Sequence, residues 1–135
     1  MSTPEQRAEI VRYWWAQAEE SLAAAHREME SGAYGFAVNR LYYAAFYGAS
    51  AALLERRPPF RKHAAVRAAF HREFVKTGVL DAQWGRLYDR MFEDRLEADY
   101  VAMSSFARDH VALRWTQCAD FLAQLRPLIV SLSPE

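Results

Sequence analysis

Residues 39–54 read Asn39-Arg40-Leu41-Tyr42-Tyr43-Ala44-Ala45-Phe46-Tyr47-Gly48-Ala49-Ser50-Ala51-Ala52-Leu53-Leu54. After Arg40 no charge appears until Glu55. The run is shorter than the ~20 residues that a membrane-spanning helix needs, so it reads as a helix buried in a protein core. Ala37, Leu41, Ala44, Ala45, Gly48 and Ala52 recur at helical spacing. Their small side chains allow a neighbouring helix to approach closely. The helix is predicted to start near Tyr34 and to run to about Arg57, where Pro58 and Pro59 stop it, since proline restricts the residue before it and cannot continue the hydrogen-bond ladder.

Outward from this segment the same periodicity recurs. Thr3-Pro4-Glu5-Gln6 has a hydroxyl N-cap, proline at the first helical position and Gln where a capping box needs it. Apolar residues then follow at Ile10, Tyr13, Trp14, Ala18, Leu22, Ala25 and Met29, and Gly32 ends the helix. A third helix is expected from about Lys62 to Thr77, closing at Gly78, with Val66, Phe70, Phe74 and Val75 on its apolar face. A fourth starts after Asp81, carries Trp84, Leu87, Tyr88, Met91 and Phe92, and weakens near Ala98. A fifth, capped by Ser104 or Ser105, holds Val111, Leu113, Trp115, Cys118, Phe121, Leu122 and Leu125, and ends or kinks at Pro127. No period-two run bounded by turn residues competes. The expected fold is all-α, an antiparallel bundle of about five helices forming one domain over residues 1–135.

The composition is 52% hydrophobic with a formal net charge of zero, which argues against disorder and against an overall basic nucleic-acid binder. Charge is segregated along the chain: Arg56 to Lys76 holds seven Lys/Arg and one acid, and Asp81 to Tyr100 six acids and three Arg. That pattern allows either local steering of an anionic ligand or two solvated faces of opposite sign. The single cysteine, Cys118, excludes an intrachain disulfide and suits a reducing compartment. Residues 1–12 are polar with charges of both signs, unlike a leader segment, so a cytoplasmic protein with no membrane association is expected.

Signatures for phosphate-cradling glycine loops, zinc cysteines and zinc-protease histidines are absent, and no metal or cofactor is expected. His63 and His71 share a helix face only loosely, and His26 and His110 stand isolated in the chain. Cys118 falls on an apolar helix face, where a small buried hydrophobe is the ordinary reading. The more informative polar set lies on the second and fourth helices. Arg40, Tyr43 and Tyr47 fall at i, i+3 and i+7, and Arg95, Asp99 and Tyr100 at i, i+4 and i+5. An arginine fork held by an acid beside a tyrosine suits a phosphate or a base, through charge-assisted hydrogen bonds and an aromatic stacking face. The same residues also suit a polar network that locks helix 2 to helix 4.

Asn39-Arg40-Leu41-Tyr42-Tyr43-Ala44-Ala45-Phe46 and the small-residue run to Leu53-Leu54 resemble helix 2 of the HEPN family, and most of all its short stand-alone bacterial and archaeal members. Lys62-His63-Ala64-Ala65-Val66 with Phe70 and Phe74-Val75-Lys76-Thr77-Gly78 is similar to that branch's third helix. Arg95-Leu96-Glu97-Ala98-Asp99-Tyr100 is similar to its Arg-x-x-Ala-Asp-Tyr element. The resemblance implies a HEPN bundle, a homodimer with a composite cleft, and a minimal nucleotidyltransferase as partner in a toxin–antitoxin or defence-type pair. Together with the spacing of the polar set, ligand binding, to a nucleotide or RNA, is expected at Asn39, Arg40, Tyr43, Arg95, Asp99 and Tyr100. The resemblance also implies Tyr100 as a possible acceptor of a nucleotide. Active members are metal-independent ribonucleases in which a His follows an Arg by several positions. Counting from Arg95, that position holds Tyr100, and an unperturbed tyrosine (pKa about 10) is a poor base at neutral pH. Arg95 and Tyr100 are the catalytic candidates if an altered endoribonuclease is the answer, with His63 as the other substitute base. Arg57 and His63 match the bare spacing, but across the Pro58-Pro59 loop. The third alternative is a helical adaptor in which the polar set serves packing alone.

Overall fold

A computed structural model describes residues 3–56, 63–100 and 105–133. Five α-helices make up most of it, with no strand among the described residues: α1 Pro4–Glu30, α2 Tyr34–Arg56, α3 His63–Phe70, α4 Ala82–Tyr100 and α5 Arg108–Leu125. A π-helical turn, His71–Val75, follows α3, and two 3₁₀ turns, Arg126–Leu128 and Val130–Leu132, follow α5.

The local signals act where they were read. Thr3 Oγ1 accepts from Gln6 N at 3.1 Å, and Gln6 Oε1 accepts from Thr3 N at 2.8 Å, so the capping box is closed. Gly32 and Gly78 take φ of 83° and 78°, a region glycine enters without a Cβ clash. Asp81 accepts from Gln83 N at 2.9 Å at the entry to α4. Pro127 ends α5, whose chain tightens into a 3₁₀ turn.

Helix α2 is the axis of the bundle, packed by α1, α3, α4 and α5. Its small-residue stripe is wholly buried, and a Cβ on Gly48 would stand 2.6 Å from Leu122 Cδ2 and 3.3 Å from Leu125 Cδ1. Tyr42, Phe70, Phe74, Tyr88 and Phe121 fill the space between α2, α3, α4 and α5. Phe70 stacks on Phe121 at 5.4 Å between centroids and meets Tyr88 edge-on at 5.3 Å, separations at which aromatic pairs add to area burial. No helix among the described residues is long and apolar enough to cross a membrane.

Four details depart from the sequence reading. The buried stripe of α1 is Val11, Trp15, Ala18, Ala25 and Met29, while Ile10 and Tyr13 face out, because one residue of rotation moves a side chain 100° round the helix. Leu113 is likewise exposed on α5. Helix α4 stays regular through Ala98 to Tyr100. Helix α5 takes Ala107 as its N-cap with no side-chain cap bond, so Ser105 does not cap it; Ser104, Arg57, Pro58, Pro59 and Lys62 lie outside the described residues.

Gly48→Val should lower stability in urea denaturation by about 1–3 kcal/mol, the usual cost of overpacking a filled core. Gly35→Ala, whose added Cβ meets nothing within 4 Å, should raise it by up to about 1 kcal/mol through helix propensity.

Candidate functional site

Asn39 lies on the face of α2 that meets α4. Its Nδ2 donates to both oxygens of Asp99, at 3.2 and 3.3 Å. One turn back along α4, Arg95 Nε stands 3.2 Å from Asp99 Oδ2. The Nε–H is not aimed at that oxygen, so the contact is ionic rather than a hydrogen bond. The guanidinium lies 5.2 Å from the Tyr42 ring centroid and 5.6 Å from that of Tyr43, and its Nη2 reaches Tyr43 Oη at 3.5 Å. A cation over an aromatic face contributes about 0.5–2 kcal/mol, so the tyrosine rings add to the hold of Asp99 on Arg95. Its side chain is 17% exposed, and Nη1 has no acceptor among the described residues.

Of the predicted site residues, Asn39, Tyr43, Arg95 and Asp99 are brought together. Arg40 stands apart from them. It is exposed on the open side of α2 and makes no ion pair among the described residues, with Phe36 one turn before it also exposed. Tyr100 ends α4, and its side chain, like that of His63, lies outside the described residues. A cavity of about 320 Å³ opens beside the cluster, lined by Ala33, Tyr34, Gly35, Phe36, Ala98 and Asp99.

Two further polar clusters were not read from the sequence. His71 Nε2 and Arg67 Nη1 both reach Asp89 Oδ1, at 3.0 and 2.7 Å, and the Arg67 guanidinium lies 4.0 Å from the Phe92 centroid. A Cβ on Gly85 would stand 2.7 Å from His71 Cε1 and 3.0 Å from its Nδ1. Both ring nitrogens thus turn towards α4, and the π-turn at residue 71 together with the absent side chain at 85 makes room for the ring. In the second cluster Asp94 Oδ2 meets His110 Nε2 at 3.1 Å and Arg114 Nε at 2.9 Å, and Arg114 Nη1 donates to Gln117 Oε1 at 2.9 Å. The acids stand 16 to 22 residues from their His and Arg partners in the chain, so no short motif announces them. Among the described residues no three His, Cys, Asp or Glu side chains converge as a metal site.

Cys118 is fully buried, with Sγ 3.5 Å from Leu41 O, and burial pushes its thiol up to about 12. Burial also raises Tyr42 to about 12, against a smaller opposing effect of Arg95, and raises Tyr88 well above its ordinary value.

An all-α bundle whose central helix presents Asn39 to an Arg95–Asp99 pair defines a class of small helical proteins with a polar seam between two core helices. The family profile described as HEPN domain matches residues 11–125, and the chain belongs to the HEPN family. It is 41% identical over 128 residues to the "UPF0332 protein" of Thermotoga maritima, covering 94% of this chain and 96% of that one. Two proteins of Methanocaldococcus jannaschii, each named a "putative toxin", are also similar. One is 31% identical over 85% of this chain and 78% of its own, and the other 40% identical over 62% and 63%.

The thiol and phenol shifts set a sign for alkaline behaviour. Each raises the folded value, so its contribution is intact below the unfolded value and is lost as pH rises through the folded one. For Cys118 the window runs from 9.0 to about 12, with a slope of up to about 1.4 kcal/mol per pH unit. The urea midpoint should fall as pH rises through that window, and Cys118→Ala should flatten the fall by about one proton's worth. At pH about 8 the native thiol should resist iodoacetamide, because the thiolate is the reactive form, and should react once urea unfolds the chain.

Proposed function

We propose that this HEPN protein is one component of a toxin–antitoxin or related defence pair, and that the Asn39–Tyr43–Arg95–Asp99 seam binds the phosphate of a nucleotide or RNA. In this reading its partner protein is a minimal nucleotidyltransferase. The carrying observation is the arginine itself: its guanidinium lies 5.2 and 5.6 Å from two tyrosine ring centroids while Nη1 has no acceptor among the described residues. A guanidinium held this way is pre-oriented for a phosphate oxygen, with little side-chain entropy left to lose on binding. The toxin names of two relatives agree with a place in such a pair.

The working unit in this proposal is a homodimer. Among the described aromatics only Tyr13 and Phe36 are exposed, and Phe36 flanks Arg40 on the open side of α2. A second copy docking there would cover the ring and add a second Arg40 to the composite cleft, beside the 320 Å³ cavity. The cation on the rim would then steer an anion towards the seam. Tyr100, at the end of the same helix as Arg95, is the proposed acceptor if the partner transfers a nucleotide.

An endoribonuclease is the second reading, favoured by one observation. His110 is oriented by Asp94, the residue preceding Arg95, which is how a carboxylate holds an imidazole ready for proton transfer. Purified protein that cleaves RNA in EDTA and loses the activity in His110→Ala would establish it, and absence of cleavage with or without metal would remove it.

For the binding reading, Arg95→Lys keeps the charge and loses the planar fork. It should change stability by less than about 1 kcal/mol and weaken nucleotide or RNA binding about tenfold or more. Equal affinity for the two proteins would count against the seam. Light scattering at micromolar concentration should give the mass of a dimer, and Phe36→Glu should give that of a monomer.

A further inference from the structure

The first turns of α4 and the middle of α5 enclose a second cavity, of about 300 Å³, lined by Gln83, Trp84, Arg86 and Arg90 from α4 and Gln117 and Asp120 from α5. That volume is at the lower end of the range of small-ligand sites, roughly 300–1,000 Å³. Arg86 and Arg90 are one helical turn apart and share a face. Neither makes an ion pair or hydrogen bond with any described residue, although the helix that carries them places its acids Asp89, Asp94 and Asp99 in contacts with other elements. Two unspent guanidinium forks facing one opening are donors without acceptors.

A second, independent feature shows that the wall opposite them is built. Asp94 fixes Arg114, and Arg114 Nη1 donates to Gln117 Oε1. The side chains of Asp94 and Arg114 are only 14% and 13% exposed. With its carbonyl oxygen held, Gln117 leaves its amide N–H groups as the free end, and these are donors as well. Trp84 is half-buried, packed against the core while its remaining surface lines the cavity. Asp120 is the one acceptor with charge.

We infer that this groove is a binding site for a phosphate monoester that carries a planar ring, of which a nucleoside 5′-monophosphate is the simplest example. The Arg86 and Arg90 forks take the phosphate, as charge-assisted donors do. The indole of Trp84 offers a face to the ring. The oriented Gln117 amide donates to the ring edge or the phosphate, and Asp120 accepts from sugar hydroxyls. The site is contained in one subunit, shares no residue with the α2–α4 seam, and does not depend on the function proposed for that seam.

The test is a titration of the full-length protein in phosphate-free buffer, read by tryptophan fluorescence and by calorimetry, with adenosine 5′-monophosphate, adenosine, inorganic phosphate, and a short oligoribonucleotide with and without a 5′-phosphate. Adenosine 5′-monophosphate should bind saturably and quench tryptophan. Adenosine and inorganic phosphate should each bind about tenfold or more weakly, since each lacks one half of the contacts. Arg86→Ala and Arg90→Ala should each weaken binding about tenfold with an unchanged melting temperature, the loss expected for a charge-assisted hydrogen bond. Arg95→Lys should leave this binding unchanged. Tighter binding of the 5′-phosphorylated oligonucleotide than of its 5′-hydroxyl form identifies an RNA end as the source of the ligand, and binding of the mononucleotide alone identifies the free nucleotide. No saturable binding, inorganic phosphate binding as well as the mononucleotide, or binding lost in Arg95→Lys and kept in Arg86→Ala would overturn the assignment.

Discussion

Helix α2 is enclosed by four neighbouring helices, and the rest of the molecule follows from that enclosure. Ala44, Ala45, Gly48, Ala49 and Ala52 are fully or almost fully buried, which brings Leu122 and Leu125 of α5 close against the Gly48 backbone. Between Gly48 and Leu54 every residue of the helix is buried, and its charged and amide side chains fall at the two ends, Asn39 and Arg40 near the start and Glu55 and Arg56 at the close. Near the start Asn39 is half-buried and turned towards α4. Asp99 accepts from it with both oxygens.

Helix α4 has a different task. It borders α2, α3, the π-turn and α5, and each face carries its own acid: Asp89 for Arg67 and His71, Asp94 for His110 and Arg114, Asp99 for Asn39 and Arg95. Three of the six acids of residues 81–100 thereby meet side chains from other elements. The basic run and the acidic run, separate in the chain, meet in the Arg67–Asp89 contact. Among the described residues, Arg40, Arg86 and Arg90 are exposed cations that make no ion pair.

Much of the bundle was legible because its signals are local. The Thr3–Gln6 box, Gly32, Gly78 and Asp81 each act within four residues of themselves. The start of α5 was not, since Ala107 caps without a side chain. The π-turn depends on a ring seated against a missing side chain on another helix, and a five-residue turn leaves no periodicity to detect. At the seam the Arg95–Asp99 pair was legible, because i and i+4 spacing on a regular helix brings side chains together, whereas Tyr43 was read on the face of Arg40 and Tyr47. The partner from α2 is Asn39, while its neighbour Arg40 stands at the surface. The two differ by one residue, which is 100° of rotation, and both lie at the edge of an apolar stretch whose pattern does not say which edge faces α4. His110 looked isolated, and His71 was set beside His63, because the acids that meet His71 and His110 lie on another helix.

The division of labour within the seam bears on what Arg95 is for. Asn39 and Asp99 already join α2 to α4 through two hydrogen bonds. Arg95 adds a misaligned ionic contact and two aromatic faces, and a Leu or Met at that position would pack on those faces with no charge to desolvate. Folding alone therefore gives weak grounds for a guanidinium here. In the function proposed for the seam a phosphate gives stronger grounds, because the two tyrosine rings beside the guanidinium limit its orientations while Nη1 has no acceptor among the described residues. In that proposal Asp99 would offset the charge of Arg95 until a phosphate binds, and would keep its hydrogen bonds to Asn39 when one does.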